Sequence, residues 1–447
     1  MKIFASRVGL PAFALAFLLL TSASLPAADY FITNKPGSGA GTLADPFGMA
    51  DLPDPTSEKL KSKALEALQP GDTLSFREGD YSIKTLEDRG YYYLSYLRTA
   101  RPGEPEKRIT IRAFPGEKVR LIHISGTQPM LGGGRCVTFE GFTIETGPPA
   151  AARIGGEGME IAWCHIKGMH LDTADNHDGL RIESATDCRI HHNVIEGVTG
   201  RSQNSAGIKL YRTKKILVED NFIHGNTAGI FDKDSGIDNT YRRNFLTANR
   251  VQFYGNNQGQ LARYFIYENV IDGEINLHCR TNGCEIHNNL VRADALAGAW
   301  AGGAWNNSIC NNIVISAAKS ILAFYDSQAP LVNEGNQRHL IYMDYNVYTA
   351  PPVYSFGLYS KTPGKFSLAQ IRGKGYEVNS QVVSGADEIF ENQKTWALKP
   401  QWAKAGKDGE IIGPRNIADV LDLNRYGPAA WTAAAGTPPR EQPPRKP

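Results

Sequence analysis

Several things this chain has little of narrow its reading. Net charge is nearly absent: 48 Lys and Arg stand against 46 Asp and Glu over 447 residues, so no global field draws in nucleic acid or any other polyanion, and a site for one has to be a local patch. Long apolar runs are absent too. The stretch from Leu10 to Leu20 is too short to span a bilayer. Preceded by Lys2 and Arg7 and followed by small residues at Ala23, Ala27 and Ala28, it reads as a signal peptide over residues 1–28, which places the mature chain outside the cytoplasm, secreted or periplasmic. Ten histidines show no regular metal-ligand spacing; His191, His192, His224 and His287 read as turn or surface residues. Six cysteines are few for an exported chain of this size. Cys136, Cys188 and Cys284 each sit five residues before the same slot of non-adjacent units, which argues for buried free thiols, as for Cys164 and Cys310. Cys279 and Cys284, around Arg-Thr-Asn-Gly, are the one pair spaced for a disulfide.

Repetition is what the chain has. Ile190-His-His-Asn193-Val-Ile recurs as Val218-Glu-Asp-Asn221, Tyr241-Arg-Arg-Asn244, Ile266-Tyr-Glu-Asn269, Ile286-His-Asn-Asn289, Ile309-Cys-Asn-Asn312 and Met343-Asp-Tyr-Asn346. The asparagines are 28, 23, 25, 20, 23 and 34 residues apart, and Cys164 fills the slot one unit earlier. Within each unit apolar residues alternate with polar ones, as in Gly179-Leu-Arg-Ile-Glu183 and Gly207-Ile-Lys-Leu-Tyr211. That period of two excludes helical solenoids. Asparagine tolerates left-handed backbone, and its amide can bond the Asn of the next coil, so one Asn per unit suits a stacked turn. The fold expected is all-β, a right-handed single-stranded parallel β-helix behind an N-terminal capping helix, with coils about 4.8 Å apart.

The opening from Tyr30 to Phe47, the helical stretch Ser57 to Leu68, Gln69-Pro-Gly-Asp-Thr and Arg108-Ile-Thr-Ile-Arg-Ala-Phe-Pro-Gly-Glu117 resemble the secreted pectate-lyase-like β-helix superfamily, as do Asp344-Tyr-Asn-Val-Tyr348, Phe366-Ser-Leu and Trp396-Ala-Leu. The organisation implied is a cap and first strands over 29–107, a β-helix over 108–430 with a loop insertion near 350–386, and a Pro-rich disordered tail over 431–447. A monomer is expected, with no membrane or nucleic-acid partner.

Aligning the strands by alternation, with Leu180/Ile182, Ile208/Leu210, Val251/Phe253 and Ile275/Leu277 inward, puts Glu183, Tyr211, Lys233, Tyr254 and His278 in one outward column. Arg181, Lys209, Phe231, Gln252 and Asn276 stand beside it. Amines, phenols and an imidazole in such a column suit proton transfer on a sugar, although solenoid exteriors are polar without function as well. The stretch Phe231-Asp-Lys233-Asp-Ser to Asn239-Thr-Tyr-Arg-Arg-Asn244 resembles a motif of the chondroitinase B and alginate lyase family, whose lysine is the base. That resemblance implies a polysaccharide lyase acting on a uronic-acid glycan by β-elimination, with Lys233 as base. Tyr254 is then the acid, with His278 as its substitute. Arg181, Arg212 and Arg280 contact the substrate carboxylate, and Lys209, Tyr211, Gln252 and Asn276 line the subsites. The family's strand arginine is missing from Val251-Gln-Phe-Tyr-Gly255, and its calcium carboxylates fall near Asn226 and Ala228.

Other readings stay open. Flanked by Asp232 and Asp234, Lys233 also reads as a salt-bridged structural residue. Asn176-His-Asp178-Gly179 resembles a polygalacturonase motif, and Asp178 with Asp232 or Asp234 would be a hydrolytic carboxylate pair. Asp172, Asp175 and Asp178 offer a place for calcium, and a solvated loop explains them as well. A non-catalytic carbohydrate-binding or adhesion module needs only the aromatic residues.

Overall fold

The computed structural model describes residues 26–52, 62–82, 97, 99–124, 133–146, 152–168, 176–234, 236–255, 261–277, 280–293, 295–300, 306–316, 320–324, 341–356 and 364–434. Three sheets of 13, 12 and 11 strands among these residues run the length of the chain, with strands from successive coils paired in parallel. The fold is a parallel β-helix. Its inward slots are apolar because each strand turns one residue in two toward the axis: Phe139, Ile161, Ile190 and Val218 stack in the first sheet, and Ile144, Ile166, Ile195 and Ile223 in the second, all at 0% exposure. Each such side chain contributes about 1.5–3 kcal/mol of burial. Of residues 1–28, read as a signal, 1–25 lie outside the described residues. Of the capping helix, Lys63–Ala67 is described, with Ser62 accepting from the Leu65 N–H at 3.1 Å and with Ala64 and Leu65 in the core.

The repeated asparagines do stack. Asn193 Nδ2 donates to Asn221 Oδ1 at 2.9 Å, and the same bond continues through Asn244, Asn269, Asn289, Asn312 and Asn346 at 3.0–3.1 Å. Each Oδ1 also accepts the backbone N–H of the asparagine one coil back, and each Nδ2 also reaches a carbonyl, as Asn244 does with Val218. Both hydrogens and both lone pairs are thus used at full burial. The left-handed residue is the one before the asparagine: His192, Asp220, Arg243, Glu268, Asn288, Asn311 and Tyr345 have φ between 49° and 57°. The turn is made by a residue that points outward, which frees the asparagine to turn its amide inward. A shorter ladder joins Asn226 to Asn249 at 3.1 Å on another turn.

Residues 350–386 differ from the expected insertion. Pro352–Phe356 continues the third sheet, Gly364–Ser367 pairs with it antiparallel, and Leu368–Arg372 is a short helix with Ile371 buried against the end of the stack. The segment that follows is a strap across the outside of the second sheet, where Ile412, Ile417 and Val420 cover Val270, Leu290 and Ile313. It runs back toward earlier coils: the Gly413 N–H donates to Asn311, the Gly427 N–H to His192, and Trp431 lies over Gly141, where a Cβ would come within 2.6 Å of the indole. Aperiodic sequence had hidden this, because the strap follows the packing surface and not the coil repeat. Among the described residues no helix is long and apolar enough to cross a membrane.

The disulfide expected between Cys279 and Cys284 is not formed. Cys284 is a free buried thiol whose sulfur accepts the Tyr264 N–H at 3.1 Å inside the core, and Cys279 lies outside the described residues. Alkylating the denatured protein without reductant should therefore label Cys284 in full; a linked peptide joining Cys279 to Cys284 would contradict this. For the ladder, Asn244→Ala should cost about 3–5 kcal/mol in urea unfolding, since it orphans buried donors and acceptors on both neighbouring coils. Exposed Asn424→Ala should change stability by less than about 0.5 kcal/mol, and equal effects would deny the ladder its weight.

Candidate functional site

The three outer faces differ. The strap covers the second, and the first is a ladder of ion pairs in which Glu219 takes both Arg189 and Arg242 at 2.7 Å. The third carries the mixed charged and aromatic side chains. Its strands Asp178–Thr186, Ala206–Tyr211, Ala228–Asp234, Val251–Gly255 and Ile275–Leu277 place Arg181, Lys209, Phe231, Tyr254 and Asn276 in one outward row.

That row corrects the column expected from alternation. Tyr254 pairs with Phe231, not Lys233, and Gln252 lies two residues earlier, buried, its amide exchanged with Asn249 at 2.8 Å. The register slips between Leu210 and Tyr211: Leu210 faces Asp232, Tyr211 faces Asp234, and Lys233 is the extra residue of a bulge. Just ahead of the bulge Asp232 occupies an inward slot, in register with Leu210. Fully buried, it accepts from the Tyr241 hydroxyl at 2.5 Å and the Asn239 amide at 2.7 Å, with Gly236 so close that a Cβ would collide with its carboxylate. Burial pushes its carboxyl up to about 6, against the pull of these donors.

Lys209 has no exposed surface, and its ammonium lies 2.5 Å from Asp178 Oδ1. It also donates to Asn176 Oδ1 at 3.1 Å and to the Asn204 carbonyl. Desolvation lowers Lys209 to about 8 against the attraction of Asp178, and repulsion from Arg181 and Lys233 adds to the lowering. Arg181 donates to Asp178 Oδ2 at 2.6 Å. Half-buried Lys233 donates to Asn204 Oδ1 at 3.0 Å, and its ammonium stands 5.5 Å from the Tyr211 ring and 5.9 Å from Phe231. The Tyr211 hydroxyl donates to Asn176 at 2.9 Å, and burial holds its phenol well above the usual range. Tyr254 sets its ring edge on Phe231 at 4.7 Å and is 6% exposed. Asn276 Oδ1 is buried without a hydrogen-bond partner among the described residues.

Lys209, Tyr211, Lys233 and Arg181 therefore come together around Asn176 and Asn204. Tyr254 and Asn276 continue the row. Arg212 is at the edge, exposed, tied to Glu183 and 3.9 Å from Asp234. Arg280 has described backbone opposite Leu261, and His278 lies outside the described residues. Asn204 carried no sequence signal, since it stands in a loop outside the repeat. Asn176 had one, as the first residue of the motif read for Asp178.

Two expectations fail on burial. Asp178 and Asp232 are both at 0% exposure, the first held by two cations and the second turned into the core, so neither can join a hydrolytic pair at the surface. Of the three carboxylates read for calcium, Asp178 is the one described, and it is ion-paired with Arg181 and Lys209. Asp172 and Asp175 lie outside the described residues, among which no group of three or more His, Cys, Asp or Glu is arranged for a metal ion.

The fold and this face define a parallel β-helix whose third sheet carries a row of charged and aromatic side chains, most of them buried. Residues 170–274, less than half of the chain, match the family described as periplasmic copper-binding protein (NosD). No curated protein matches. Among solved structures the chain is similar to XylC in complex with xylose, at 13% identity over 72% of this chain and 83% of that one, with TM-score 0.44. It is similar to the PL6 family alginate lyase AlyGC at 12% identity, covering 94% of this chain and 60% of that one, with TM-score 0.44. A mannuronic-acid-specific family 6 lyase from human gut microbiota gives 13% identity, 85% and 97% coverage, and TM-score 0.39. At these identities the chemistry has to be read from the side chains.

Asp232 supplies a test of the site's frame. Its folded-state value is raised from 3.8 to about 6, so between those limits the folded protein holds the extra proton and stability falls as pH rises through that window. Asp232→Asn should therefore stabilise the protein by about 2–3 kcal/mol at pH 7 and by under about 1 kcal/mol at pH 4. Urea unfolding at both pH values decides it, and an equal change at both would mean that the carboxyl is not perturbed.

Proposed function

We propose that this chain is an exported polysaccharide lyase that cleaves a uronic-acid-containing glycan by β-elimination at the rim of the third sheet, around Tyr211 and Lys233. The observation that carries this reading is the convergence of the Lys209 and Lys233 ammonium groups on the Tyr211 and Phe231 rings. The partly exposed Tyr211 ring is the aromatic surface a sugar unit can meet, Phe231 being buried behind it, and elimination from a uronate needs a base beside positive charge that tolerates the carboxylate. Lys233 removes the C5 proton, the C4–C5 double bond forms, and the bond to O4 breaks. The departing O4 takes a proton from a phenol. Tyr211 is the better placed acid: its ring adjoins Lys233 and it keeps its proton at neutral pH, whereas Tyr254 belongs to the neighbouring row. Arg212, exposed at the rim, is the guanidinium accessible to a substrate carboxylate. Lys209 and Arg181, bound to Asp178, shape the site from beneath.

Incubation with alginate, pectate, glycosaminoglycans and bacterial exopolysaccharides should yield the absorbance of an unsaturated uronate end on one of them. Lys233→Ala should remove at least about 100-fold of that rate with an unchanged melting temperature. New reducing ends without the absorbance would mean hydrolysis, and retention of a polymer without cleavage, equal in Lys233→Ala, would mean a binding module.

A further inference from the structure

We propose that His191 and His192 form an acid-sensitive latch for the end of the strap: near neutral pH their paired imidazoles let residues 425–434 dock, and a second proton on the pair releases that segment from the stack. The imidazole and the anchor belong to one residue. His192 has left-handed backbone, φ 56°, its N–H donates to the Asp220 carbonyl at 2.6 Å, and its own carbonyl accepts the Gly427 N–H at 2.7 Å. The strap lies close there. A Cβ on Gly427 would stand 3.2 Å from Val194, and buried Tyr426 has its ring 6.1 Å from Phe222.

The Nδ1 atoms of the two histidines are 2.8 Å apart, and His191 Nε2 is 2.8 Å from Glu160 Oε1. Glu160, lowered to about 2 against its burial by the bond to His191, is an acceptor only. His191 Nε2 therefore carries a hydrogen, and a single hydrogen fits between the two Nδ1 atoms. One positive charge is accommodated, on His191 beside Glu160. A second, on His192, sets N–H against N–H and cation against cation. The surroundings of His192 weigh the same way. The Trp163 ring lies 5.1 Å from it, and Arg189 is tied to Glu160 and Glu219. Asp220, the carboxylate that favours a charged His192, is bonded to Arg243 at 2.7 Å and lies 4.0 Å from the strap's Arg425, which stands 4.0 Å from Asp419. Burial, and then the charge of His191, outweigh Asp220 and hold His192 down to about 4. The strap supplies the Arg425 charge and lies against the His192 backbone, so by linkage a proton taken up by His192 weakens docking. A docked value below the ordinary 6.5 means that docking is full above 6.5 and weakens as pH falls from there toward 4.

Hydrogen–deuterium exchange of the full-length protein, read by mass spectrometry and normalised to the intrinsic rate at each pH, tests the latch. Between pH 7 and pH 5, peptides within 425–434 should lose about fivefold to 20-fold of their protection, the upper figure corresponding to 6.5 released and about 4 docked. Peptides within 407–415, anchored on Asn288 and Asn311, should keep theirs. His192→Asn should make the protection of 425–434 independent of pH, and the turn accepts asparagine, since Asn288 and Asn311 fill the same left-handed slot in later coils. Unchanged protection of 425–434 at pH 5, an equal loss in 407–415, or a loss in His192→Asn as steep as in the wild type would each overturn the latch. Exchange at the imidazole C2 position reads the histidines of the wild-type protein without any variant. The second protonation of the pair should have its midpoint below about 5.5, and a midpoint above that value would overturn the latch as well.

Discussion

Everything in this molecule is set by what lies one coil away, and the buried amide ladder is where that dependence is strictest. An asparagine in the core is costly unless all of its hydrogen-bonding capacity is filled. Here only the asparagines above and below, with the adjacent backbone, can fill it. The stack therefore enforces register: a coil slipped by one residue would leave unpaired amides on both sides. It also has to end properly. At one end the Cys164 N–H donates to Asn193, and at the other Asn346 donates its N–H to Ser380 and its amide to the buried Glu377, whose carboxyl is raised by that burial.

With register held on that turn, the third sheet still carries a bulge. The bulge at Lys233 directly follows Asp232, which takes an inward slot bonded to Tyr241 and Asn239, and one extra residue separates it from Asp234, the partner of Tyr211. Bulges commonly re-aim a side chain, and here the re-aimed residue is the candidate base. The strap works on the same problem from the other side. It covers the second sheet and ties distant coils together.

Legibility followed periodicity. The asparagine slots, the strand alternation and the inward aliphatics were readable because each recurs with every coil. The pairing of Tyr254 was not, because a shift of two residues preserves inward and outward facing, and only the occupants of the inward slots could reveal it. Those occupants were Asp232 and Gly255, polar and absent side chains where apolar ones were expected. Asn204 and the strap lie outside the repeat, and Asp178 looked like a surface carboxylate because nothing local announces that Lys209 and Arg181 will bury it.

The rules of the repeat break where the chemistry is proposed. Lys209 is a charged residue in a fully buried position and Asp232 an acid in the core, and each costs stability that an aliphatic side chain would not. A solenoid tolerates such costs locally, since each coil answers mainly to its neighbours and the rest of the stack supplies the reserve. Both residues lie close to Lys233, Asp232 just ahead of it on the same strand and Lys209 on the neighbouring coil. Two of the fold's exceptions meet on adjacent coils beside Lys233, and that juxtaposition is the physical reason to look for function there.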